Sequence, residues 1–157
     1  MIKINIVAVG RVKEKYFSDG IAEYVKRLSK YAEVSIIEIE EENYKKVDEK
    51  TIETIKLKEA ERMLPYIKGY VIALAVEGVK MSSEGFSKKI KNLIDMGNGV
   101  ITFVIGGSYG LDAKIKNMAK GKISFSDMTF PHTMFRLMLT EQIYRAFTII
   151  NGSSYHK

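Results

Sequence analysis

The residues able to do chemistry in this 157-residue chain gather in its last third. A glycine turn, Gly106-Gly107-Ser108-Tyr109-Gly110, follows the apolar run Val100–Ile105. Glycines there permit positive backbone angles and let the main chain approach a ligand closely. The pattern is neither the G-x-G-x-x-G dinucleotide fingerprint nor a P-loop, so a tight structural turn and a nucleotide site both fit it. A second loop runs Phe125-Ser126-Asp127-Met128-Thr129-Phe130-Pro131-His132. Its two phenylalanines bracket hydroxyl, carboxylate and backbone groups. That lining suits a flat adenine held by backbone hydrogen bonds, and it equally suits two rings packed into a core. Glu141 and Arg145 stand one helical turn apart and read as a structural pair rather than an acid–base couple. Tyr155-His156-Lys157 combines an aromatic, a base and a cation, in a position where chain ends commonly fray. There is no G-x-S-x-G elbow, and Ser108 has no evident base.

The elements that position these groups follow from periodicity. Ile2, Ile4 and Ile6–Val9 form a first strand ended by Gly10, and Val34–Ile39 a second. Tyr70–Val76 makes a third, closed by Glu77-Gly78. Val100–Ile105, apolar on both faces except Thr102, suits the centre of a parallel sheet covered on both sides. Lys122-Ile123-Ser124 makes a short last strand. Between them the spacing predicts a helix capped by Ser18 or Asp19 and running to Tyr31, and one from Asp48 to Leu64 ended by Pro65. Ser82 or Ser83 starts a third helix, and Asp112 caps a short one. Pro131 opens a final helix reaching Asn151. Alternating strands and helices mean a single α/β domain over residues 1–157, a mostly parallel sheet with helices on both faces. The final helix has no wide polar face, so it must be buried on both sides, and a subunit contact is expected there.

Composition bounds the partners. Twenty-five basic against 19 acidic residues give a formal charge of +6, compatible with an acidic partner such as nucleic acid. The basic loop Arg11-Val12-Lys13-Glu14-Lys15-Tyr16 lies beyond the first strand, where open α/β sheets bind ligands. It is either a solvated turn or a phosphate-contacting patch with Tyr16 free to stack on a base. Without cysteine there is no disulfide or thiolate site. His132 and His156 are too far apart for a local zinc motif, so no metal is expected. No signal peptide or membrane span is read, and a cytoplasmic protein is expected.

Taken together the motifs are more specific than any one of them. The order Gly106-Gly107-Ser108-x-Gly110-Leu111, Phe125-Ser126-x-Met128-Thr129-Phe130-Pro131-His132, Arg136-x4-Glu141-Gln142-x-Tyr144-Arg145-Ala146-Phe147 and Tyr155-His156-Lys157 resembles the ribosomal large subunit methyltransferase H family of the SPOUT class. Ala8-Val9-Gly10-x-x-Lys13 and Leu74-x-Val76-x-Gly78 match too, so the resemblance spans the chain, least informatively around residues 40–50.

The resemblance implies an α/β fold with a C-terminal trefoil knot, which topology rules alone would argue against. It further implies a homodimer and a site for S-adenosylmethionine formed by Leu74, Gly106 and Phe125, Ser126, Asp127, Met128, Thr129 and Phe130. The implied reaction is methylation at N3 of a pseudouridine in helix 69 of 23S rRNA on the assembled 70S ribosome. N3 carries a proton, so a base or a stabilised anion is required. His156 and Tyr155 are the expected positioning or proton-transfer groups, and Arg136 or Lys157 meets phosphate or developing charge. Arg11, Lys13, Lys15 and Lys157 are the expected RNA contacts, and His132 fits either a part in the chemistry or the ordering of its loop. The competing readings are a non-catalytic ribosome- or RNA-binding protein of the same fold and a flavodoxin-like nucleotide binder.

Overall fold

The computed structural model describes residues 1–157. Five parallel strands form one sheet: β1 (Ile2–Val9), β2 (Ala32–Ile39), β3 (Tyr70–Lys80), β4 (Val100–Ile105) and β5 (Gly121–Ser124), in the order β2-β1-β4-β3-β5. The most apolar runs take the centre. Ile6 of β1 sits in register with Ile36 of β2 on one side and Phe103 of β4 on the other. The two-residue period then divides each central strand between two cores. Ile4, Ile6 and Ala8 join Ile101, Phe103 and Ile105 in one, while Val7, Val9 and Val104 point into the other. Thr102, the one polar residue of β4, is fully buried and donates to the Lys68 carbonyl at 2.6 Å, which satisfies its hydroxyl.

The helices are α1 (Lys15–Leu28), α2 (Glu49–Met63), α3 (Ser83–Asp95), α4 (Ala113–Met118) and α5 (His132–Ile150). Leu28 of α1, Phe86 and Ile90 of α3, and Leu139, Ile143 and Phe147 of α5 fill the first core. Ala60 and Met63 of α2 and Ile115 of α4 fill the second. Both faces of the sheet are thus covered, as the apolar strands require. No helix is long and apolar enough to cross a membrane.

Helix starts follow capping chemistry. The Asp48 carboxylate accepts from the Thr51 amide at 2.8 Å, and the Thr51 hydroxyl accepts from the Asp48 amide at 2.7 Å. Ser82 accepts from the Gly85 amide and Asp112 from the Lys114 amide. A 3-10 turn containing Pro65 ends α2. The start of α1 departs from expectation. It begins at Lys15, because the Ser18 hydroxyl donates back to the Lys15 carbonyl rather than accepting an end amide. Lys15 and Tyr16 therefore sit on the first turn of a helix, not in a loop.

Two further features shape the site. β3 runs past Val76 to Lys80, but Leu74 and Val79 both pair with Ile123, so residues 75–78 bulge out of the sheet. Gly78 makes this possible: a Cβ there would stand 2.7 Å from the backbone of Ile123. The last helix, α5, has no fully exposed residue. One side packs into the core, and Met134, Leu137, Met138, Ile149 and Ile150 remain half-buried on the rest of its surface.

Candidate active site

β3, β4 and β5 deliver their following segments to one end of the sheet, where they enclose a cleft of about 730 Å³. That is within the range of small-molecule sites. Its walls are Leu74–Glu77 from the β3 bulge, Ile105–Ser108 with Gly110 and Leu111, Lys116 of α4, Ile123–Ser126, and Met128–His132 with Phe135.

The glycine turn is held by its own backbone: the Gly110 amide donates to the Gly107 carbonyl at 3.0 Å, and Gly110 takes φ +84°. Gly106 must lack a side chain, since a Cβ would lie 2.6 Å from the Gly110 carbonyl carbon. The second loop is likewise self-bonded. Ser124 donates to the Ser126 carbonyl, and the Ser126 hydroxyl accepts from the Met128 amide at 3.0 Å. Phe125 and Phe130 each stand 5.6 Å, centroid to centroid, from Phe135, giving the cleft an aromatic side. Leu74, Gly106, Phe125, Ser126, Met128, Thr129 and Phe130 thus share one cleft. Asp127 is the exception. Its carboxylate turns outward, 81 % exposed, and pairs with Lys80, so it does not line the cleft. His132 lies at the start of α5 against Gly10, whose Cβ, if present, would be 3.0 Å from its Nε2. It joins the loop to the end of β1.

The tail is ordered. Arg145 donates to Glu141 through Nε at 2.9 Å and through a terminal nitrogen at 2.5 Å, the expected pair. That pair also docks the terminus. Tyr155 donates its hydroxyl to Glu141 at 3.0 Å, and the Arg145 guanidinium lies 4.9 Å from the centre of its ring. Arg145 also donates to His156 Nδ1 at 3.0 Å, and His156 Nε2 lies 2.8 Å from Glu84 Oε1. Guanidinium can only donate, so Nδ1 accepts and the ring proton sits on Nε2, directed at Glu84. Burial and its contacts with Tyr24 and Glu141 push the Tyr155 hydroxyl well above its ordinary range, which keeps it a donor. The tail does not line the cleft of its own chain. Tyr24 and Glu141, both in contact with Tyr155, line a second cleft of about 470 Å³ together with Phe86, Leu137, Met138 and Gln142 among others. The two clefts share Ile123, Ser124 and Phe125.

Arg136 requires a correction. It is 2 % exposed and donates to Glu38 at 2.5 Å and to the Gly10 carbonyl at 2.9 Å. Enclosed in this way it cannot meet phosphate; it ties α5 to the ends of β1 and β2. Arg11, Lys13 and Lys157 are exposed, whereas Lys15, also exposed, pairs with Asp19 at 2.6 Å.

Sequence reasoning missed Glu59. It is 3 % exposed, accepts from the Glu42 amide at 3.1 Å, and backs onto the glycine turn, where a Cβ on Gly107 would meet it at 3.4 Å. Burial raises its carboxyl above the ordinary value. The signal was its place between Ile55 and Met63 at four-residue spacing, on the buried stripe of α2.

The sequence matches a known family along nearly its whole length. The model of the family described as Predicted SPOUT methyltransferase matches residues 2–156. The chain belongs to the SPOUT methyltransferase family. Among its relatives, the ribosomal RNA large subunit methyltransferase H of Streptococcus uberis is 52 % identical, over 99 % of this chain and 100 % of that one. That of Acetivibrio thermocellus is 46 % identical over the same shares. The SPOUT fold is shared with a methylase family protein of Haemophilus influenzae Rd KW20, at TM-score 0.54 and 12 % identity, over 99 % of this chain and 70 % of that one. A methyltransferase of Legionella pneumophila with bound SAM superposes at TM-score 0.50 and 10 % identity, over 93 % of this chain and 66 % of that one. SPOUT membership implies the trefoil knot in the C-terminal part of the chain.

Proposed function

We propose that this SPOUT methyltransferase uses S-adenosylmethionine to methylate N3 of a pseudouridine in helix 69 of 23S rRNA on the assembled 70S ribosome. The observation that carries the reading is the single cleft in which Leu74, Gly106 and most of the second loop converge. Its residues fit the cofactor: glycine backbone open to close approach, an aromatic side for adenine, and hydroxyls and main-chain groups for polar edges. The S. uberis relative, named a ribosomal RNA large subunit methyltransferase H, supports the substrate class, and the SAM-bound Legionella protein supports the cofactor.

S-adenosylmethionine supplies a methyl group on a sulfonium, which needs an in-line nucleophile more than activation. The chain's own residues must therefore orient the base and manage the N3 proton. Tyr155, whose one hydroxyl proton goes to Glu141, stabilises charge developing on the base once that proton is turned from the carboxylate. His156, fixed between Arg145 and Glu84, positions the base or accepts the proton once Nδ1 is released from Arg145. Lys157, with Arg11 and Lys13, supplies positive charge toward RNA.

A homodimer completes the site in this reading. The tail lies outside its own cleft, and α5 keeps Leu137 and Met138 half-buried beside the second cleft. Pairing two copies over that surface covers the apolar side of α5 and brings the tail of one protomer toward the cleft of its partner.

The test is methyl transfer from labelled cofactor to 70S ribosomes, separate subunits and free 23S rRNA, with the modified base mapped. Transfer to N3 of the helix 69 pseudouridine in 70S ribosomes is expected. Ribosome binding without transfer would replace this reading with that of a non-catalytic binding protein.

A further inference from the structure

Among the residues lining the cleft, only Glu77 and Lys116 carry fixed opposite charges. They arise from different elements. Glu77 rides on the β3 bulge, where Leu74 and Val79 share Ile123 as partner and the residues between are thrown outward. Lys116 stands on α4, one residue after Ile115, which anchors that helix in the second core. Lys116 Nζ and Glu77 Oε1 meet at 2.7 Å, with side chains 29 % and 53 % exposed. The hydrogen bond from Lys116 holds the Glu77 carboxyl below its ordinary value, so the carboxylate is ionised at neutral pH.

Phe125, Phe130 and Phe135 line the same cleft, and Phe125 packs against the core containing α5, whereas Ile115, beside Lys116, belongs to the core on the opposite face of the sheet. The cleft therefore offers a flat apolar side and, across the sheet edge, one cation beside one anion. A ligand matched to it has an aromatic ring at one end and a zwitterion at the other. Because the pair is solvent-accessible, opening it costs little, and each partner can be exchanged for a ligand charge.

We infer that Glu77 and Lys116 receive the amino acid end of the cofactor, Glu77 binding the α-ammonium and Lys116 the α-carboxylate. This rests on the reading that the cleft binds S-adenosylmethionine. It assigns the adenine to the aromatic side and makes the β3 bulge the device that carries a carboxylate to the cleft.

Titration calorimetry on the full chain tests it with S-adenosylmethionine, S-adenosylhomocysteine, decarboxylated S-adenosylmethionine and methylthioadenosine, which carries no amino acid group. Glu77→Gln is expected to weaken the first three about fivefold and leave methylthioadenosine unchanged. Lys116→Met is expected to weaken the first two by a similar factor and to weaken neither of the ligands that lack the carboxylate. Equal loss for all four ligands would reduce the pair to a support of the wall and overturn the inference, as would unchanged binding of S-adenosylmethionine by both variants. If the wild-type chain bound none of the ligands, the reading of the cleft itself would fall.

Discussion

His156 Nε2 and Glu84 Oε1 lie 2.8 Å apart although 72 residues separate them in the chain. The contact fastens the terminus to α3, while Arg145 holds the other side of the same ring. A tail docked from two helices is preorganised, which is what a positioning group in catalysis requires. His156→Ala is expected to lower kcat about 100-fold while leaving S-adenosylmethionine affinity unchanged. Glu84→Gln should produce a smaller loss in the same parameter. Single-turnover methylation and calorimetry separate the two effects, and an unaltered rate in His156→Ala would remove the tail from the site.

Arg136 is read as a clamp between α5 and the ends of β1 and β2. Arg136→Ala should cost about 3 kcal/mol in urea denaturation, because the Gly10 carbonyl loses its charged donor and a buried stem leaves a void. The salt dependence of ribosome binding by the remaining folded protein should be unchanged. A shallower salt slope would instead return Arg136 to the RNA surface.

The buried carboxyl of Glu59 makes stability depend on pH. Its folded pKa is raised by burial above that of the unfolded chain. Stability is then fully present below the unfolded pKa and declines as pH rises through the folded one. Glu59→Gln keeps an acceptor for the Glu42 amide and removes the charge. Its melting temperature should exceed the wild type's by a few degrees at pH 8, with the difference vanishing near pH 4. An equal shift at both pH values would mean that packing, not charge, is responsible.

Leu137 and Met138 face the second cleft from α5 without full burial. If this surface joins two protomers, the wild type sediments as a dimer and the double variant Leu137→Glu, Met138→Glu as a monomer. That monomer should also lose methyl transfer. A wild-type monomer with full activity would contradict the paired site.

Arg11 and Lys13 are exposed and free of ion pairs, unlike Lys15 with its Asp19 partner. Replacing both with glutamine should weaken ribosome binding and reduce the slope of log affinity against log salt by about two. Lys15→Gln should change the slope less. Filter binding across a salt series distinguishes the Arg11 and Lys13 pair from Lys15.

Much of the fold was legible because it depends on local terms. The β-branched runs of β1 and β4, the caps Asp48, Ser82 and Asp112, and Pro65 act within a few residues of themselves, and the elements formed where those signals stood. That Leu74, Gly106 and the second loop belong to one site was implied by the resemblance of the motifs. They share a cleft because Leu74 stands in β3 just before its bulge while Gly106 and Phe125 directly follow the parallel strands β4 and β5.

What the tertiary structure alone decided concerns the direction and environment of side chains. Arg136 was expected to meet phosphate or developing charge but is sealed inside, because the α5 turn that carries it packs over Gly10. Asp127 was expected in the cleft but turns to Lys80 on the strand beside it. Glu59 looked like one more surface acid on a charged helix until the glycine turn closed over it. The bulge that presents Glu77 depends on how β3 registers against β5, two strands joined by no local signal. Periodicity determines which residues form an element. Only packing between elements decides which charge is buried, which is paired, and which is left to meet a ligand.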